Sequence, residues 1–227
     1  MIDTQKKEAA KRRAVRKAVN HEQKRKQILD VAGEMFFQQG YANTSIDDIA
    51  AQLGVGKPFI YYYFKDKAAI FETLCVDSSD QTYTSFAVLN DKTMTATERL
   101  QCGLRNMILN YIDTFVGGAL YYKEPGLLGS DAKDCIRDNA VKLHADLMHV
   151  LEDGRKSGEF MYEDTKLAAL MIGGSIGFMF TWYRRDGALS PTAIADLMVS
   201  NLMKIVLAPD YRAIHLAPDA KLAASEG

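Results

Sequence analysis

Apolar residues recur at three- and four-residue intervals along almost the whole chain, and no stretch alternates with period two for long enough to make a strand. Such spacing winds an apolar stripe along one side of a helix, so the chain is expected to be all-α, with about nine helices. Five prolines and sixteen glycines in 227 residues leave little room for a turn-rich β architecture. Ile28, Ala32, Met35, Phe36 and Gln39 keep the spacing in a first helix over 21–39, stopped by Gly40. Short helices follow over 46–53, capped by Ser45 and stopped by Gly54, and over 57–64; another begins near Asp66. Thr95-Ala-Thr-Glu98 reads as a capping box opening a helix to about Phe115. Gly117-Gly118 and Pro125-Gly126 are expected to break the chain before a helix over 132–156. An uncharged helix over 165–184 and a last one over 191–207, opened by Ser190-Pro191, complete the set.

The formal net charge of −1 conceals an uneven distribution. Residues 1–26 carry +7, residues 1–74 carry +4 and residues 75–227 carry −5. A polyanion partner is expected at the basic end, a solvated tail being the plain alternative. Three distant cysteines, with no CxxC pair, argue against a disulfide framework or a zinc site and suit a reducing cytoplasm. The charged start has no apolar core of a secretory signal. Leu167–Tyr183 is free of charge for 17 residues, at the bottom of the range for a membrane span. Its Thr181, its closing aromatics and its amphipathic flanks favour a buried or interfacial helix instead.

No catalytic constellation emerges. His144 and His149 are five apart and off a common helical face, and the stripe Asp131, Asp134 and Asp138 reads as solvated. Gly173-Gly-Ser-Ile-Gly177 lacks the lysine of a phosphate loop, and no nucleophile elbow occurs. Neither a metal nor a cofactor is expected, and an enzyme is the weaker rival class.

The segment Thr44–Phe64 carries the function. Two short helices joined by a tight glycine turn place the first across a DNA backbone and the second in the major groove. Ile46, Ile49, Ala50, Leu53, Val55, Ile60, Tyr61 and Phe64 are expected to form the inner faces. Lys57, in the first turn of the second helix, can reach guanine edges or a phosphate, and Tyr62 projects from the opposite face. Phe59, after Pro58, can stack on a thymine methyl or pack within the protein. Arg12, Arg13 and Lys24 belong to the basic run; the two arginines can enter a minor groove or attract phosphates without sequence preference.

Ile28–Cys75, with FFQQGY, Thr44-Ser45, IAAQLGV and YYYF-x-x-K ending at Lys67, resembles the DNA-binding domain of tetracycline-repressor (TetR) family regulators. LEDGRKSGEF and TWYRRDGALSPTAIADLMVSNLMKIVL, over 151–207, resemble the C-terminal regions of the same family. Gly56 stands where the family carries Ser or Thr, and Phe59 where it carries a small residue. The resemblance implies that Thr44, Tyr63 and Lys67 grip phosphates, with Ser45 and Pro58 beside them. It implies a helix-turn-helix domain (21–68) and an effector-binding and dimerisation domain (69–207); the charge run adds a basic arm (1–20, expected to be flexible), and two Pro-Asp breaks mark a tail (208–227). The partners it implies are a palindromic duplex operator, a small-molecule effector and a second copy of the chain, in the cytoplasm and without a membrane. Repression is the family's commoner mode.

For the effector the candidates are Met107, Tyr111, Phe115, Phe178 and Trp182, with Arg105 or Arg184 as a polar anchor; core packing is the alternative for each. WYRRDGALSP resembles a branch that senses fatty-acid, sterol or other acyl-CoA metabolites. The last two helices are apolar on a broad face, and Gly173, Gly174 and Gly177 permit close packing; with Leu197 and Asn201 they form the expected dimer interface. A non-specific architectural DNA-binding protein using the arm alone is the third possibility.

Overall fold

The computed structural model describes the backbone of residues 2–210 and the side chains of residues 16–210. Nine α-helices are present among them: α1 Ile2–Gln39, α2 Ile46–Gln52, α3 Lys57–Tyr63, α4 Lys67–Ser85, α5 Ala96–Asp113, α6 Phe115–Lys123, α7 Ser130–Lys156, α8 Thr165–Gly177 and α9 Pro191–Val206. Short 3-10 turns occupy Ala87–Asn90, Pro125–Leu127 and Phe178–Thr181. The extended backbone among the described residues includes one isolated bridge, Phe160 to Leu207. The expected all-α class holds.

Three boundaries differ from the sequence expectation. The helix placed at 21–39 begins instead at Ile2, so residues 2–20 continue α1. Lys, Arg, Ala and Glu dominate that stretch, and their intrinsic helix propensity is high. Periodicity could not reveal it, because Arg16–Gln23 are exposed and have no apolar side to mark. Gly117-Gly118 lie within α6 rather than breaking the chain. The break falls three residues earlier, at Thr114, which caps α5 with its N–H on the Asn110 carbonyl at 2.8 Å. Finally, the uncharged helix ends at Gly177 and tightens into the 3-10 turn rather than running to 184.

Packing divides the chain into two compact units, Met1–Asp77 with Ala119–Lys133, and Ser78–Gly118 with Asp134 onward. Segment 119–133 therefore packs with the first unit, away from the linear division at 69. In the first unit α2 packs on α1 and α3. Ile28, Ala32 and Phe36 of α1 are buried, as are Ile49, Ala50, Ile60, Phe64, Ile70 and Phe71. In the second, α5 buries Leu100, Leu104, Met107, Ile108 and Ile112 and packs against α9 and the first 3-10 turn. Burying five such side chains supplies most of what holds this helix, at about 2 kcal/mol each.

The LEDGRKSGEF stretch has a structural use. Buried Glu159 accepts the α5 N-terminal N–H groups of Ala96 and Thr97 at 3.3 and 2.8 Å, and the Ser157 hydroxyl at 2.7 Å. Gly154 leaves space for the Phe160 ring, which a Cβ there would overlap. Arg99, 4% exposed, donates to the Leu89 carbonyl and to Asp153, each at 3.0 Å.

Candidate nucleic-acid interface

Ser45 caps α2 by accepting the Asp48 N–H at 3.2 Å, while Asp48 accepts the Ser45 hydroxyl at 2.6 Å and its N–H at 2.8 Å. Hydrogen bonds from the Ser45 hydroxyl and then its N–H hold the Asp48 carboxyl below the usual aspartate range. The turn itself depends on Gly54, at φ +66°, where L side chains are strained. The Val55 N–H then closes on the Ala50 carbonyl at 3.0 Å. Without a side-chain cap at Gly56, α3 starts on Lys57 with Pro58 behind it, whose fixed φ suits a first turn.

Ile60 and Phe64 point inward, as expected; Tyr61 does not and is 52% exposed. At 100° per residue Tyr61 lies 100° from Ile60, whereas Tyr63 lies only 60° away on the other side. Tyr63 accordingly is the half-buried one. Tyr62 is 68% exposed, at the outward position assigned to it.

The outer surface of α3 is joined to α1. His21 packs at a tilt of 45° on Tyr63, 4.7 Å between centroids, and meets Tyr62 in an edge arrangement at 5.8 Å. Phe59 lies 5.3 Å from Tyr63, and the Lys24 ammonium sits 5.3 Å above the Phe59 ring. Lys24, Phe59, Tyr62 and Tyr63 thus gather on one surface. His21 is the member that sequence reasoning missed; its position three residues before Lys24 and seven before buried Ile28 was the available signal.

Lys57 is not free: its ammonium pairs with Asp47 of α2 at 2.7 Å, both side chains being exposed. Two further candidates face inward. Thr44 is 1% exposed, and its hydroxyl donates to the Gly40 carbonyl at 3.0 Å. Lys67 donates to the carbonyls of Tyr41 and Thr44, each at 2.8 Å, and lies 4.1 Å over the Tyr41 ring. Both side chains clamp the turn that sets α2 against α1, which corrects the expectation that they reach out to phosphates. Arg12 and Arg13 lie outside the residues whose side chains are described.

In the second unit the effector candidates separate. Met107 and Phe115 are buried, and the Tyr111 hydroxyl donates to the Gly177 carbonyl at 3.0 Å, burial pushing its phenol up to about 12. Phe178 and Trp182, by contrast, are 58% and 46% exposed, and Arg184 is exposed. Phe115 meets Tyr183 in an edge arrangement at 5.3 Å, and the Arg185 guanidinium lies 5.9 Å over its ring. Arg105 is held by Asp196 at 2.9 Å on the surface, so it does not line an interior with Met107.

Leu167, Leu170, Met171, Gly174 and Phe178 fall on one exposed side of α8 and the turn after it. Leu197 and Asn201 are exposed together on α9, which packs on α8. Gly173, Gly174 and Gly177 have open space where a Cβ would stand. No described helix is long and apolar enough to cross a membrane. Among the described residues, no three His, Cys, Asp or Glu gather as a metal-binding group.

Two family models match the chain. The one described as "Bacterial regulatory proteins, tetR family" covers residues 28–74, and "Tetracyclin repressor-like, C-terminal domain" covers 93–206, half of the chain. The chain is 27% identical over 192 residues to the uncharacterized HTH-type transcriptional regulator YhgD of Bacillus subtilis, covering 80% of this chain and 95% of that one. It is 25% identical over 176 residues to the HTH-type transcriptional repressor KstR2 of Mycobacterium tuberculosis, covering 76% and 88%. The solved structure of KstR2, described as a ketosteroid transcriptional regulator, superposes with a TM-score of 0.72 at 22% identity over 81% of this chain and 95% of that one. AibR in complex with isovaleryl coenzyme A and operator DNA gives 0.65 at 22% identity over 78% and 97%. The structural likenesses establish the shared fold.

Proposed function

The chain belongs to the tetracycline-repressor family of DNA-binding transcriptional regulators, and we propose that it is a repressor that grips a two-fold operator as a homodimer and lets go when a largely apolar metabolite binds. The observation that carries the DNA side is the aromatic and basic surface between α3 and α1, where Phe59, Tyr62, Tyr63 and Lys24 gather beside a helix-turn-helix held by Gly54, with Lys57 on another side of α3. Tyrosine and lysine there suit thymine methyls, guanine edges and phosphates. The functional division keeps an arm (1–20), a reading head (21–68), a sensing and pairing domain (69–207) and a tail (208–227), in the cytoplasm.

Pairing uses the exposed apolar side of α8 with Gly173, Gly174 and Gly177, together with Leu197 and Asn201 on α9. A short recognition helix touches few base pairs, and reading a palindrome twice supplies the missing specificity. The effector occupies the second unit near Met107, Tyr111 and Phe115, with Phe178, Trp182 and Arg184 at its edge. An acyl-CoA or sterol-like compound is favoured by the names of the two relatives, one a ketosteroid regulator and one complexed with isovaleryl coenzyme A. Binding that prefers one arrangement of the dimer shifts the population away from the DNA-competent one.

Selection of bound duplexes from a random library tests the DNA side: a palindromic consensus is expected, and diffuse, sequence-blind binding overturns it. Sedimentation of Leu170→Glu tests pairing, with a monomer expected; an intact dimer moves the interface elsewhere. Titrating acyl-CoA thioesters of increasing chain length into the operator complex tests the effector class. Release at some chain lengths is expected, and no release at any overturns that class.

A further inference from the structure

We propose that His21 is a positioning residue for DNA recognition, fixing Tyr62, directly and through Tyr63, from α1 without itself reading a base; this rests on the DNA-binding reading above. Four side chains form a run of contacts between the two helices. His21 and Lys24 are three apart on α1, and Phe59 and Tyr63 are four apart on α3, so each pair shares a helical side. Lys24 lies over Phe59, Phe59 tilts against Tyr63 at 5.3 Å, and Tyr63 packs at a tilt of 45° on His21 at 4.7 Å. Tyr62 then stands against both rings, edge-on to Tyr63 at 4.9 Å and to His21 at 5.8 Å.

The place of this cluster decides its use. His21 is exposed, and so is Tyr62, so their contact buries little apolar surface and contributes little to holding the fold. What the contact does is restrict rotation. A tyrosine on a solvent-facing helix samples several χ1 and χ2 wells, and a neighbouring ring selects among them. A reading side chain already held in one well loses less entropy when DNA arrives, and it discriminates better between duplexes. His21 therefore supports specificity from a helix that lies outside the helix-turn-helix itself.

The test compares full-length wild type, His21→Ala and His21→Phe on the consensus duplex selected by the wild type and on a scrambled duplex of equal length. His21→Ala is expected to weaken consensus binding by about two- to tenfold, the range of an aromatic pair, with scrambled-duplex binding unchanged. His21→Phe, which restores a ring, is expected to recover the wild-type values, and repeat selection with His21→Ala should relax the consensus under Tyr62. Three outcomes overturn the proposal: unchanged consensus affinity in His21→Ala, equal loss on both duplexes, or equal loss in both variants. A drop in melting temperature that accounts for the lost affinity also overturns it, since it marks a folding role. A wild type that prefers no duplex removes the DNA-binding reading, and this inference with it.

Discussion

Lys57 and Asp47 form an ion pair across the helix-turn-helix, 2.7 Å between ammonium and carboxylate, so the foremost lysine of α3 is held by α2 before any DNA is present. A phosphate or a guanine edge must compete with that carboxylate for the lysine. Asp47→Asn removes the competitor and one negative charge facing the duplex. Operator affinity is expected to rise by about two- to tenfold at low salt and the gain to shrink as salt rises. Stability should change by less than about 0.5 kcal/mol, because both partners are exposed. Fluorescence anisotropy across a salt series measures it; weaker binding would mean that Asp47 aims Lys57 rather than restraining it.

Lys67 gives a contrasting expectation. Its two bonds to the Tyr41 and Thr44 carbonyls tie the α1–α2 turn to the start of α4. Lys67→Met leaves those half-buried carbonyls short of a donor and should lower the unfolding free energy by about 1–3 kcal/mol in urea titrations. The slope of log K against log salt is expected to stay unchanged, whereas a lost phosphate contact would reduce it by about one.

Glu159 links the second unit to pH. Burial raises its carboxyl, but donors from Ser157, Thr97 and Ala96 outweigh burial, and the net position is below the usual glutamate range. A carboxyl depressed in the folded state adds stability that is present above its unfolded value and lost as pH falls through the folded one. The melting temperature should therefore drop on acidification below the ordinary glutamate range, and Glu159→Gln should flatten that part of the profile. At neutral pH the same variant should lose about 1–3 kcal/mol of stability. Asp153 titrates in the same direction, lowered by its bonds to Lys92 and Arg99 against an opposing burial effect, so the flattening is expected to be partial.

Gly54→Ala isolates a backbone cost. A Cβ at Gly54 meets nothing within 4 Å, so only the left-handed conformation at φ +66° resists the change. Destabilisation of about 1–2 kcal/mol is expected by thermal unfolding. A neutral result would show that the turn relaxes to another conformation.

Much of this was readable in the sequence, and the failures have physical causes. Caps and stops were local chemistry: Ser45, Thr95, Gly54 and Ser190 act where the chain pattern puts them. The early start of α1 was hidden because a helix held by propensity leaves no apolar stripe to count. Tyr61 and Tyr63 exchanged places because adjacent aromatics give the same pattern, and only the angular offset from Ile60 separates them. Thr44, Lys67 and Arg105 look like free polar side chains in one dimension. Their partners, Gly40, Tyr41 and Asp196, are fixed by folding, and for Arg105 the partner is 91 residues away. His21 went unnoticed for the same reason, since its partners are rings about forty positions further on.

Three glycines of α8 and its end carry a last consequence. A methyl group at Gly173, Gly174 or Gly177 would meet no described residue beyond its own turn of helix, so within the described protomer alanine there changes little besides helix propensity, a gain of up to about 1 kcal/mol. Loss of pairing on alanine substitution at these positions, with the protomer's stability and effector binding kept, would then report contact between molecules, which turns three conservative substitutions into probes of self-association.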